Sequence, residues 1–285
     1  MDPKRIFSFW EPRNEMAPYL RLCMDTWDKT LPDYDIVLLD NTNLHEYLPD
    51  EIREEIICDK LRLGSQKNAL QIAVLKTHGG LFVDVDTLFL NDIRPILDEL
   101  ENTEVVLFHQ HLAFMAAKRD AHLLTLWLEE LKKRVGTIRR GEVKETGWGY
   151  IGNGILDEMM KQATPDLMVN LDKLIYAFTP ETVRFPFWGG PRDKYLRFWF
   201  EDDLAIDDVF FKKQRVIGLH NSWTPEWYKE LSREEVLEHD CLLSRTLRHI
   251  LESPGVIEGK EGVSLQKRLA WFAARKARGL KRRFF

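Results

Sequence analysis

The stretch HGGLFVDVDTLFLND, residues 78–92, decides the reading of this chain. Two carboxylates, Asp84 and Asp86, stand one residue apart just after the apolar run Leu81-Phe82-Val83 and a pair of glycines. Two like charges at this separation repel each other unless something positive is shared between them. The apolar run predicts a strand buried on both faces, which delivers both acids to its carboxyl end. Ligands of open α/β sheets bind at that edge, where the strand order switches. Side chains at i and i+2 of a strand point the same way, so the pair can chelate a cation. Hard oxygen donors suit Mg²⁺ or Mn²⁺, which keep positions open for water and phosphate oxygens. The plain alternative is a solvated acidic strand end.

Upstream of the glycines, Ser65 to His78 reads as a helix: Ala69, Ile72, Ala73 and Leu75 share a face, and Gly79 suits its C-cap. At the start of the chain, Ile6 to Trp10 is a short β-rich run closed by Glu11-Pro12. Leu20, Cys23, Met24 and Trp27 then recur at helical spacing between Pro18 and Lys29, and Tyr34 to Asp40 reads as a second strand. This β-α-β opening predicts a parallel sheet and an α/β fold. Asn43 to Asp59 reads as helical with a restart at Pro49-Asp50. Val105–Phe108 and Leu112–Ala116 follow as strands, and Ala121–Val135 as an amphipathic helix. The segments 147–154 and 185–200 mix aromatics with glycine and proline, a composition that suits either a cleft wall or a small core beneath a loop.

Composition sets limits on the alternatives. With 285 residues, 44% hydrophobic and 31% charged, the chain has the balance of a globular protein with a sizeable core. The three cysteines, Cys23, Cys58 and Cys241, show no metal-site spacing and read as isolated thiols of a reducing compartment. The opening MDPKRIFSFW lacks the apolar stretch of a signal peptide, and no long apolar run follows, so a cytoplasmic location is expected. Residues 264–285 carry eight Lys or Arg and no acid, so the rest of the chain bears −13 against −5 overall. As a helix, that tail places Leu265, Leu269, Phe272, Ala273, Ala277, Leu280 and Phe284 opposite Lys267, Arg268, Arg275, Arg278, Lys281 and Arg282, with Lys276 and Arg283 interrupting the apolar face, the pattern of an interfacial helix on an anionic membrane surface. An ordinary solvated helix is the alternative. Nucleic acid is not expected as a partner, because the acidic body would repel it.

The string Asp84-Val85-Asp86-Thr87 fits two enzyme classes. It satisfies the D-x-D-x-T of haloacid dehalogenase-like phosphatases, whose first Asp is a nucleophile. That motif usually follows the first strand of its domain, whereas two strands and about three helices precede it here. The run from Leu75 through Gly79-Gly80 to Asp84 and Asp86 resembles the sugar-transferase region of glycosyltransferase family 32, which includes mannosyltransferases and bacterial capsular-polysaccharide transferases. Phe7 to Pro12, Leu22-Cys23-Met24 with Thr26-Trp27, Tyr34 to Asp40 and Gly152-Asn153 extend the resemblance over roughly the first 160 residues.

The resemblance implies a GT-A type fold, a mostly parallel mixed sheet flanked by helices, over residues 1–263. Residues 1–115 would bind the nucleotide-sugar, with a UDP-sugar favoured, and residues 116–263 would face the acceptor. It implies transfer with retention at the anomeric carbon, and Mn²⁺ or Mg²⁺ on Asp84 and Asp86. His220, in a His-x-Ser-Trp string with Ser222 and Trp223, is similar to elements that complete metal and phosphate sites in such enzymes; a histidine ending a strand is as often structural. Trp10 would stack on the base or sit in the core. Asn153 would lie on the donor. Asn68 and Gln71 occupy positions where many members carry Asp and Arg against the donor sugar, and they can still exchange hydrogen bonds with it. No nucleophile emerges. The expected acceptor is a lipid-linked saccharide precursor of a capsular or other surface polysaccharide, met by an enzyme peripheral to the inner face of the membrane. A degenerate transferase fold kept as a sugar-binding scaffold is the non-enzymatic alternative.

Overall fold

The computed structural model describes residues 4–108, 111–144, 149–162, 164, 166–171, 190–201, 204–210 and 214–252. The expected basic tail at 264–285 and the aromatic segment at 185–189 lie outside the described residues.

The chain opens as strand β1 (Arg5–Phe9), helix α1 (Pro18–Thr30) and strand β2 (Asp35–Leu39), within a residue or two of the sequence expectation. Pro18 starts α1 without loss, because the first turn of a helix needs no donor from that residue. A 3₁₀ turn (Leu44–Glu46) and helix α2 (Asp50–Ile56) replace the longer interrupted helix expected there, with Pro49 capping the restart. Helix α3 (Leu63–His78) then leads through Gly79 into strand β3 (Gly80–Val83). After β3 come strand β4 (Thr87–Phe89), helix α4 (Arg94–Leu97), strands β5 (Val105–Phe108) and β6 (His111–Ala117), and helix α5 (His122–Arg140). Helix α6 (Gly154–Gln162) and strand β7 (Met168–Leu171) follow. Helices α7 (Pro191–Leu196) and α8 (Ile206–Val209), strand β8 (Val216–Gly218), and helices α9 (Glu226–Lys229), α10 (Arg233–Glu238) and α11 (Leu242–Glu252) complete the described chain.

Six strands form one sheet in the order β2-β1-β3-β6-β5-β7. β1 is parallel to β2 and β3, β5 is parallel to β7, and β6 alone runs antiparallel to its neighbours. This is the mostly parallel α/β sheet expected from the sequence. The chain leaves β1 on one side to reach β2 and returns on the other to add β3. The order therefore switches between β1 and β3, and a crevice opens outside their carboxyl ends. α1 and α3, the two crossovers, cover opposite faces: α3 packs with α5, while α1 packs on β4 and α11.

The two glycines are explained by backbone geometry. Gly79 caps α3 with φ +66, its N–H donating to the Leu75 carbonyl at 2.8 Å. A Cβ there would lie 2.6 Å from the Arg119 nitrogen, and one on Gly80 (φ +104) would lie 2.9 Å from the Arg5 carbonyl oxygen. Both positions thus need a positive φ and a close backbone approach at once, which glycine alone supplies.

α3 departs from the expected amphipathic pattern. Every residue from Asn68 to Leu75 is buried, Gln71 included, because the helix is enclosed by the sheet, α5 and the turn at residues 149–153. The run after the glycines holds the expected buried strand and a second one beyond the acids. It divides into β3 in the main sheet and β4, which pairs antiparallel with β8 in a separate two-stranded sheet. α1 holds β4 in place: Trp27 Nε1 donates to the Thr87 carbonyl at 2.7 Å, and the Phe89 N–H donates to Thr26 Oγ1 at 3.0 Å.

Candidate active site

The transfer of the chain from one sheet to the other fixes the two acids. The Asp84 N–H still donates to the Ala113 carbonyl of β6 at 2.9 Å, whereas the Asp86 carbonyl already accepts from the Leu219 N–H at 2.7 Å, beyond β8. Asp84 and Asp86 therefore sit in the link between two sheets, each half-buried, rather than on a continuous strand. With Phe9, Trp10, Glu11, Leu63, Gly64, Lys67 and Val85 they line a cavity of about 180 Å³. This is the crevice at the switch point: Trp10 follows β1, the acids follow β3, and Ser8 Oγ donates to the Val83 carbonyl at 2.5 Å to hold the two strand ends together.

Asp86 is the electrostatically stressed group. Burial first, and the neighbouring Asp84 charge second, push its pKa up to about 6. Three features oppose this: a hydrogen bond to Oδ2 from the Asn221 N–H at 2.9 Å, the His220 ring, and Lys67. Asn221 is held in turn by Tyr19, whose hydroxyl donates to Asn221 Oδ1 at 2.6 Å. Asp84 meets Lys67, whose ammonium lies 2.7 Å from Oδ1 without the alignment of a hydrogen bond, so the carboxylate keeps its accepting capacity.

The remaining residues expected from the sequence divide into three groups. Trp10 lines the cavity, and its buried Nε1 has no partner among the described residues. Asn68 and Gln71 lie one and two turns into α3 from the cavity wall; Asn68 Oδ1 and both polar atoms of the Gln71 amide are buried with no partner among the described residues. Burying an amide in that state costs about 1–3 kcal/mol per unmade bond. Gly152 closes over Asn68, since a Cβ on it would lie 2.6 Å from the Asn68 amide nitrogen, while the adjoining Asn153 is exposed. Arg134 of α5 secures this turn through the Tyr150 carbonyl at 2.9 Å.

His220, expected as a third metal ligand, lies within the field of Asp86, but its ring is flanked by Trp223 at 4.0 Å and by the edge of Tyr195 at 5.6 Å. Among the described residues no three His, Cys, Asp or Glu side chains form a group that could hold a metal. Ser222 is exposed and Trp223 half-buried, its ring on His220. Lys67, Asn221 and Tyr19 carry the site's electrostatics and went unmarked in the sequence. The one signal that could have found the lysine is its place on α3 one turn before Gln71.

Comparison with known proteins finds a family likeness in the amino-terminal part of the chain. Residues 1–135 match the family described as "Capsular polysaccharide synthesis protein". The resemblance to a capsular-polysaccharide family read from the sequence is thus borne out over residues 1–135, just under half of the chain, which build β1 to β6 and carry the two acids. No curated protein sequence matches. Among solved structures, the chain is similar to mouse xyloside xylosyltransferase 1 in its apo form (11% identity, 78% of this chain and 98% of that one, TM-score 0.44). It is also similar to the galactosyltransferase LgtC in complex with donor and acceptor sugar analogs (10%, 87% and 95%, 0.43). A third is a glycosyltransferase involved in glycosylation of the major capsid of PBCV-1 (12%, 86% and 98%, 0.41).

Proposed function

We propose that the protein is a retaining glycosyltransferase of capsular-polysaccharide type that takes its sugar from a nucleotide-sugar, a UDP-sugar first among them. The observation that carries this reading is the crevice between β1 and β3. Two carboxylates repel each other there, beside a helix that buries unpaired amides.

The donor set fits a divalent cation. Two half-buried carboxylates, with the proton affinity of Asp86 raised, and few other protein ligands suit a hard ion that fills its shell with water and phosphate oxygens. Asp84 and Asp86 would hold Mn²⁺ or Mg²⁺, which when bound supplies Lewis-acid stabilisation of the departing nucleoside diphosphate. The remaining work falls to this chain's side chains. Trp10 offers an aromatic face and a free indole N–H to the nucleoside. Tyr19 and Asn221 hold Asp86 in orientation. Asn68 and Gln71 offer a neutral set of donors and acceptors to the sugar, where a charged pair would recognise it differently. The acceptor in this reading is a lipid-linked saccharide at a membrane surface that the basic tail approaches. No helix among the described residues is long and apolar enough to cross a membrane.

Thermal-shift titration with UDP, GDP and p-nitrophenyl phosphate, each with and without Mn²⁺, tests the reading. Stabilisation by a nucleoside diphosphate that requires Mn²⁺ is the expected result. Turnover of the phosphate ester would replace the transferase with a phosphatase, and silence with every ligand would favour a scaffold.

A further inference from the structure

Lys67 has no part in the site as read from the sequence, yet its ammonium is the cation that meets the acid pair. Its side chain is only 12% exposed and ends 2.7 Å from Asp84 Oδ1, on the wall of the crevice. It projects from the first turns of α3, whose opening residues Leu63 and Gly64 line the same wall. The positive end of a 16-residue helix and a lysine thus face one small cavity.

A purely structural ion pair accounts poorly for this placement. Such a pair gains most when both partners are satisfied, but Asp84 keeps a second carboxylate beside it and Lys67 does not align as a hydrogen-bond donor. Charge counting points elsewhere. Asp84, Asp86 and a divalent cation together carry no net charge, so the cation would attract a diphosphate only through its open coordination positions; Lys67 makes the loaded crevice positive. A lysine serves phosphate as a compact charge on a flexible stem, able to move between two nearby anions.

Building on the transferase reading above, we propose that Lys67 is an exchangeable counter-ion. In the ligand-free protein its ammonium neutralises Asp84. When the nucleotide enters, it passes to the diphosphate and releases Asp84 to the cation. Lys67 is then both a diphosphate ligand and a competitor of the metal.

Calorimetric titration of the full chain with UDP and GDP in the presence of Mn²⁺ comes first. If neither binds the unaltered protein, the transferase reading itself fails before any variant is compared. Given binding, Lys67→Met is expected to weaken the diphosphate at least about tenfold while leaving uridine unchanged. Mn²⁺ alone, followed by the spin-resonance signal of the free ion, is expected to bind Lys67→Met about threefold or more tightly than the parent, because the competing ammonium is gone. Diphosphate affinity that is unchanged in Lys67→Met, or Mn²⁺ affinity that does not rise, overturns the proposal. Should Lys67→Met fold poorly, Lys67→Gln serves in both measurements with the same expected directions.

Discussion

Two aspartates at opposite ends of one sheet have opposite fates. Asp33 lies before β2, at the amino ends of the parallel strands, where it pairs with Lys4 and with Arg94 at 2.6 Å; hydrogen bonds from these two cations bring its pKa down to about 2. Asp86 lies beyond β3, at the carboxyl ends, where burial and Asp84 push its pKa up to about 6. A cavity of about 750 Å³ opens beside Lys4, Tyr34 and Arg94, several times larger than the crevice at Asp86. Size therefore does not mark the candidate site. At the amino end Asp33 is matched by two cations in exposed, solvated surroundings, so its charge is already compensated. At the carboxyl end the charges remain partly uncompensated and the amides unpaired, which is the condition a ligand can relieve.

The contrast is broken most directly by Asp86→Asn. It should reduce Mn²⁺-dependent nucleotide binding by about a hundredfold or more, since a shared carboxylate is lost. The same change should raise the melting temperature at pH 7.5 by about 2–4 °C, because it removes a charge the fold disfavours. The sign follows from linkage. The folded protein holds the Asp86 proton more tightly than the unfolded chain, so the destabilisation is absent below pH about 4 and complete above about 6. The gain in melting temperature should therefore vanish in a parallel scan at pH 4, and a gain that persists there would mean that Asp86 is not the stressed group.

Titrating the unaltered protein gives the next effect in size. Metal-dependent nucleotide binding, followed by calorimetry, should weaken as pH falls through about 6, by up to about tenfold per unit below it, rather than near 4 as for an ordinary carboxylate. A midpoint near 4 would equate Asp86 with any solvated acid and erase the difference between the two ends.

Gly152→Ala sharpens the account on the sugar side. The new methyl would displace the Asn68 amide, so affinity for a UDP-sugar should fall several-fold, while affinity for UDP changes little. Equal losses for both ligands would move Asn68 from the sugar to the diphosphate. The smallest effect belongs to Asp33→Asn. A slight loss of thermal stability at neutral pH, reduced by salt and absent near pH 2, is expected with nucleotide binding intact. Altered binding would connect the larger cavity to the site after all.

Much of this follows from the sequence through local rules. Strand and helix periods placed β1, α1, β2, α3, β3, β5, β6 and α5 to within a few residues, apart from α5, which runs five residues further to Arg140. The glycine pair marked the cap of α3, and the apolar run before Asp84 marked the carboxyl edge of the sheet. These features depend on residues close together in the chain, so periodicity and turn chemistry reveal them.

Tertiary structure decided the rest, because it depends on partners far apart in sequence. The run after Val83 could not show that it leaves one sheet for another, since β4 exists only through β8, some 130 residues later. The burial of Gln71, the support of Asp86 by Asn221 and Tyr19, and the meeting of Lys67 with Asp84 likewise arise where separate elements converge. The sequence alone supplied two acids and the edge on which they stand. Packing determined which of them is stressed, and which cation stands beside them, because desolvation and Coulomb energy depend on distance in space and not on spacing along the chain.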